Sequence, residues 1–243
     1  MKKILNEIGL SFSFLTRIPV RVSGKVGDPA FFVLVGYAVG LAYLALLRLA
    51  QVVHLPGLLS IIIVMAVVYY FFELFHFDGL LDTFDGFLCQ KEKNERIEIM
   101  KKGNIGPFAL FYGVLFILVH LYLINQLASR PILIFAAALI SRWSMVLLLA
   151  ISSPAKNEGL AASFYSFSFR SFLWASIFLL PVTILMPVSA AVALVSATAV
   201  TLIVNLAARK ILSGVTGDIL GATCLFIEVC SLFFLSMIPI QVG

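Results

Sequence analysis

The chain has 243 residues, of which 62% are hydrophobic and only 12% charged, and its mean hydropathy is +1.10. A water-soluble domain carries about 25% charged residues, so this composition excludes a surface that faces water throughout and predicts an integral membrane protein. The net charge of +5 is spread among connecting segments instead of gathered on one soluble face, which argues against a nucleic-acid partner.

The N-terminal stretch "MKKILNEIGLSFSFLTRIPV" is not a cleavable signal, because Asn6 and Glu7 interrupt its apolar run and no small-x-small site follows. Ile4, Leu5, Ile8, Phe12 and Leu15 recur at helical spacing. Segment 1–30 is therefore expected as a short helix lying on the membrane interface, or as a plain lead-in to the first span. Stretches long enough to cross a bilayer, about 20 apolar residues each, follow at 32–53, 56–76, 107–125, 131–151, 172–187, 189–207 and 219–240. The fifth and sixth are the least distinct, and read equally as two short helices turning near Pro187 and Ser189 or as a re-entrant pair. With no internal repeat or low-complexity linker, residues 1–243 are expected to form a single all-α membrane bundle of about seven helices. Cys224 and Cys230 stand about 120° apart on one helix and Cys89 is isolated, so neither a disulfide nor a zinc site is expected.

Loop charge sets the orientation. With the N-terminus in the cytoplasm, fourteen of the 17 Lys and Arg fall in inside segments (1–31, 77–106, 152–171 and 208–218), and Arg130 alone falls outside. The positive-inside rule thus predicts a multi-pass protein of the cell membrane, with its long polar loops and its active face in the cytoplasm.

The second span runs into "HFDGLLDTFDG", residues 76–86. Asp78, Asp82 and Asp85 stand at i, i+4 and i+7, within about 60° of one another on a helix. Like charges on one stripe repel, so the pattern is explained either by a cation that holds them or by a helix extension that meets water. Oxygen ligands of this kind suit Mg²⁺ or Mn²⁺, completed by water and substrate phosphates. Gly79 and Gly86 are expected to leave room beside the aspartates for a ligand. Glu73 and His76 do not share the stripe: either the helix breaks near Gly79 or they contact a neighbouring helix, His76 being expected at the interface.

Two further loops suit phosphate. "MKKGNIGP", residues 100–107, sets Lys101, Lys102 and Gly106 before the third span, with Pro107 at the first helical position; "SGVTGD", residues 213–218, sets Thr216 and Gly217 before the last. Helix N-termini on the aspartates' side offer free N–H groups to an anion. Within the spans, Arg142 and Glu228 lie at matching depth, and read as a buried ion pair or as walls of a polar cavity.

These residues resemble the cobalamin synthase (adenosylcobinamide-GDP ribazoletransferase) family. The likeness lies in "ELFHFDGLLDTFDG" and extends through "FLTRIPV", "FFVLVGYAVG", "RIEIMKKGNIGPFAL", "SRWSMVLLLAISSPAKNEGLAASF" and "SGVTGDILGATCLFIEV", in the family's order over most of the chain. The resemblance implies an enzyme of the nucleotide-loop step of vitamin B12 synthesis, requiring Mg²⁺. A hydroxyl of α-ribazole or its 5′-phosphate attacks the phosphate beside the aminopropanol arm of adenosylcobinamide-GDP, and GMP leaves. It implies Asp78, Asp82 and Asp85 as metal ligands, with Asp82, Asp85 and Asp218 as catalytic candidates. Lys101, Gly106, Arg142, Lys156, Thr216 and Gly217 become candidates for substrate contacts. The family pattern has Asp-Ser where this chain has Lys102-Gly103, so fewer carboxylates, or recruitment of Glu73 or Asp218, is implied here. A homo-oligomer is left open. A CDP-alcohol phosphotransferase is the alternative, since "DTFDG" opens that pattern, but the expected Ala-Arg and the later Gly-x-x-x-Asp-x-x-x-Asp are absent. An ion transporter fits less well, because the acidic residues crowd at one face.

Overall fold

A chain in lipid must satisfy its backbone N–H and C=O groups internally, which an apolar helix does by itself. The computed structural model describes residues 2–24, 27–155 and 169–238. Its helices are α1 (Lys2–Leu15), α2 (Phe32–Val52, entered through a 3₁₀ turn at Pro29–Phe31), α3 (Gly57–Val68), α4 (Leu74–Leu88), α5 (Lys93–Lys101) and α6 (Pro107–Leu127). They continue with α7 (Pro131–Ile151), α8 (Phe169–Ile177), α9 (Leu180–Leu185), α10 (Pro187–Leu212) and α11 (Gly217–Ser236). Six continuous stretches among the described residues are long and apolar enough to cross a bilayer: Pro29–Val52, Gly57–Leu88, Pro107–Leu127, Pro131–Ile151, Pro187–Leu212 and Gly217–Ser236. Their outward faces carry large exposed apolar residues such as Phe111, Leu118, Val195 and Ile203. Such faces are suited to lipid and not to water.

The expected fifth span, 172–187, is not one helix. α8 ends at Ile177 and α9 begins at Leu180, with Pro181 in its first turn, where proline is tolerated and a continuing helix is not. The break frees the Phe178 carbonyl, which accepts a hydrogen bond from the Tyr37 hydroxyl at 2.8 Å. The two pieces nevertheless run between opposite ends of the bundle. Ser171 Oγ donates to Asp28 Oδ2 (3.0 Å) at the start of α2, whereas Leu185 and Pro187 line a cleft with Ser129 and Pro131 at the α6–α7 turn.

α7 is the central helix, buried along nearly its whole length. α2 lies against it through Gly36 and Gly40, a small-residue pair four positions apart. A Cβ at Gly36 would meet the Ala138 carbonyl oxygen at 2.7 Å, so only glycine lets the two backbones approach this closely. α1 forms as expected and is held by its own return strand of chain: Asn6 Nδ2 donates to the Ser23 carbonyl (2.8 Å) and Asn6 Oδ1 accepts from Ser23 N (3.0 Å). Ile4 and Leu5 on α1 are exposed, while Leu10 and Leu15 are buried against the bundle.

α3 and α4 are one rod of 32 residues, Gly57–Leu88, joined by a π-turn at Tyr69–Glu73. At 1.5 Å per residue it is about 48 Å long, against a hydrocarbon thickness of about 30 Å. Its last third, which carries the aspartates, therefore projects towards the polar boundary.

Candidate active site

The helix does not break at Gly79, so Asp78, Asp82 and Asp85 keep their stripe on α4. Their surroundings differ: Asp78 is exposed, Asp82 half-buried and Asp85 buried. Asp85 turns towards α6. Its Oδ2 accepts from Gly106 N at 2.6 Å and its Oδ1 from Ala109 N at 2.9 Å. The carboxylate thus satisfies first-turn amides of α6 that have no partner within the helix and meets the positive end of its dipole. Gly106 is glycine for a local reason, since a Cβ there would lie 2.6 Å from both Asp85 oxygens. The α6 N-terminus, expected to take a substrate phosphate, already holds a carboxylate, and both oxygens of an expected metal ligand are engaged by backbone.

Asp82 and Asp218 come together because α4 and α11 touch at Gly79. A Cβ at that position would stand 2.8 Å from the Asp218 carbonyl oxygen and 2.9 Å from its Cα. Gly86 is filled likewise, by the Met100 side chain of α5. Both glycines were expected to leave space for a ligand; each instead admits a neighbouring helix. Asp82 lies within electrostatic reach of Asp218, Asp78 and Asp85. Asp218 occupies the first turn of α11, behind the N-cap Thr216. Thr216 Oγ1 accepts from Ile219 N and donates to Asp218 Oδ2, each at 3.3 Å, so this hydroxyl orders the helix start and its carboxylate. Gly217, the first helical residue, is exposed beside it.

The other polar elements at this end hold the seam in place. Val215 N donates to the Ser153 carbonyl (2.9 Å) and Ala155 N to that of Val215 (3.0 Å), tying the chain after α7 to the start of α11. Arg96 donates to the carbonyls of Gly86 and Phe87, both at 2.9 Å, and closes the C-terminus of α4. Lys101, exposed at the end of α5, stands within electrostatic reach of Asp218. Lys156 lies outside the described residues.

Arg142 does not belong to the acidic face. It is fully buried at mid-helix, where its guanidinium donates to Glu73 and to Glu228. Of the two readings of the intramembrane charges, the buried ion pair is the one observed, and it has a third member. His76, expected at the interface, is buried beside Glu73.

The open acidic face is thus Asp78, Asp82 and Asp218. Among the described residues no three His, Cys, Asp or Glu side chains converge closely enough to hold a metal ion by themselves. The donor chemistry still fits Mg²⁺, which is bound through one or two carboxylates plus substrate phosphates more often than in an all-protein cage.

The family model described as cobalamin-5-phosphate synthase matches residues 7–236. This chain belongs to that family. Three relatives of this chain are each named adenosylcobinamide-GDP ribazoletransferase. That of Fervidobacterium nodosum is 40% identical, covering 97% of this chain and 99% of its own. The Thermosipho africanus protein is 42% identical, over 94% and 97%. The Kosmotoga olearia protein is 39% identical, over 96% and 99%. No solved structure matches the chain.

One role escapes the sequence pattern. The capping role of Asp85 depends on a partner helix that starts 22 residues later in the sequence, at Pro107. Glu73 and His76 lie off the aspartate stripe and contact neighbouring helices, the second of the two arrangements expected for them.

Proposed function

We propose that this chain joins adenosylcobinamide-GDP to α-ribazole or α-ribazole 5′-phosphate with release of GMP, at the cytoplasmic face of a prokaryotic cell membrane. Identity of about 40% over nearly the full length, with proteins named for that reaction, carries the reading. The acidic face at the α4–α11 seam is the part of the fold whose chemistry suits it.

The reaction transfers a phosphoryl group from a pyrophosphate. Negative charge on the phosphates must be offset, the attacking hydroxyl must lose a proton, and the two substrates must be held in line. Asp82, with Asp78 or Asp218 and the substrate phosphates, would hold Mg²⁺, which when bound supplies positive charge to the phosphates and to the leaving GMP. Asp82 is flanked by the other carboxylates, and accepts the proton of the attacking ribazole hydroxyl. Thr216 fixes the rotamer of Asp218, and Lys101 offers the pyrophosphate a cation from the side of α5. Asp85 keeps the loop carrying Lys101 and Lys102 against α4 by capping α6. The substrates approach from the loop side, where lysines and arginines predominate.

The test is GMP release from adenosylcobinamide-GDP plus α-ribazole phosphate by purified protein, with Mg²⁺ or EDTA, for wild type and Asp82→Asn. Metal-dependent release lost in the variant is expected. Full release by a folded Asp82→Asn variant removes Asp82 from the chemistry, and release undiminished by EDTA removes the metal.

A further inference from the structure

Below the acidic face the bundle buries more polar groups than a helix-to-helix clamp needs. The guanidinium of Arg142 donates to Glu73 and Glu228, and Ser141 Oγ donates to Glu228 Oε2 at 3.3 Å. The other oxygen of each glutamate faces a histidine: His76 Nδ1 lies 4.0 Å from Glu73 Oε2, and His120 Nε2 lies 3.7 Å from Glu228 Oε1. His120 Nδ1 in turn pairs with the Tyr69 hydroxyl at 2.8 Å. Glu73 Oε2, Glu228 Oε1 and Arg142 Nε have no hydrogen-bond partner.

Tyr69 and Glu73 are the first and last residues of the π-turn. Glu73 is tied to Glu228 on α11 through Arg142, and Tyr69 bonds His120, whose ring stands 3.7 Å from the same carboxylate. A π-turn carries one residue more than an α-turn. Its relaxation to α geometry would rotate everything downstream by one residue step, about 100°. Asp78 and Asp82 lie immediately downstream, and a rotation of that size would carry them off the seam with Asp218. Glycine contacts on the same seam, at Gly79 with Asp218 and at Gly221 with the His76 Cα (3.2 Å to a Cβ), leave no slack for a partial turn.

We propose that Glu73, Arg142 and Glu228 are positioning residues that fix the π-turn and thereby the rotational setting of Asp78 and Asp82 against Asp218. The proposal rests on reading those three aspartates as the active site. Stability is a poor reason for such a triad, because well-packed apolar side chains of similar volume commonly replace buried ion pairs at no loss. Specification of one helical phase requires partners that recognise each other by charge and direction, which apolar residues do not.

The experiment follows from that contrast. The triple variant Glu73→Leu/Arg142→Met/Glu228→Leu is compared with wild type, Glu228→Gln and Asp82→Asn. The readouts are GMP release, Mn²⁺ binding by electron paramagnetic resonance, and thermal melting. A triple variant that melts near wild type but loses at least 100-fold in release and binds Mn²⁺ at least tenfold more weakly is expected. Wild-type release and Mn²⁺ binding in that variant overturn the proposal. Should the triple variant not fold, Glu228→Gln decides: a tenfold weaker Mn²⁺ affinity in a folded protein supports positioning, and unchanged affinity and release overturn it. Asp82→Asn separates the two levels. If it too retains Mn²⁺ binding and release, the reading of the active site fails; if it loses both while the triple variant keeps them, only the positioning role fails.

Discussion

Gly79→Ala is the smallest change that addresses the site without touching a carboxylate. The added Cβ would stand 2.8 Å from the Asp218 carbonyl oxygen and 2.9 Å from its Cα, both backbone atoms that no rotamer change can move. Ordinary contact begins at 3.4 Å, so α4 and α11 must part by about 0.6 Å at the point where Asp82 and Asp218 meet. Two opposed terms set the stability. Alanine is favoured over glycine in a helix interior by about 1 kcal/mol, and overpacking costs about 1–3 kcal/mol, so a net loss of at most about 2 kcal/mol is expected. Activity is more sensitive, because a displacement of about 1 Å in a reacting constellation costs about 100-fold. A fall of about tenfold or more in GMP release, with a melting temperature lowered by no more than about 8 °C, is the expected result. Gly57→Ala, at an open position with nothing within 4 Å, is the control and should match wild type. Wild-type release by Gly79→Ala would refute the claim that contact at this seam sets the geometry of the site.

Asp85 should behave as a cap. Asp85→Ala leaves the amides of Gly106 and Ala109 without their acceptor and should cost about 1–3 kcal/mol of stability by thermal or denaturant unfolding. Asp85→Asn, which keeps one acceptor oxygen, should cost less and retain measurable turnover; wild-type stability with turnover abolished would instead make Asp85 a ligand. Arg142→Leu alone strands two buried carboxylates and should destabilise by about 3–5 kcal/mol, far more than the triple apolar replacement, in the same unfolding assay. Orientation is tested by single cysteines in a background lacking Cys89, Cys224 and Cys230. A thiol at Lys102 should react with an impermeant reagent only in inside-out vesicles and a thiol at Ser129 only in right-side-out ones, and the reverse pattern would place the acidic face outside.

Residue order alone determined the membrane class, most span positions and the stripe of aspartates, because each depends on local composition: apolar runs of about 20 residues and aspartates at helical spacing. It also placed Arg142 and Glu228 at one depth, since rise per residue is fixed in a helix. Tertiary structure alone decided what those residues touch. Asp78, Asp82 and Asp85 are equivalent in the pattern, yet only Asp85 meets the start of α6, where each of its oxygens accepts a backbone N–H. Asp218 is 136 positions beyond Asp82 and joins it because Gly79 lets two backbones approach. Glu73 lies off the aspartate stripe by periodicity, but packing decides that Arg142 of α7 stands opposite it. Periodicity fixes which side of a helix a residue occupies. What stands opposite that side is set by how the helices pack.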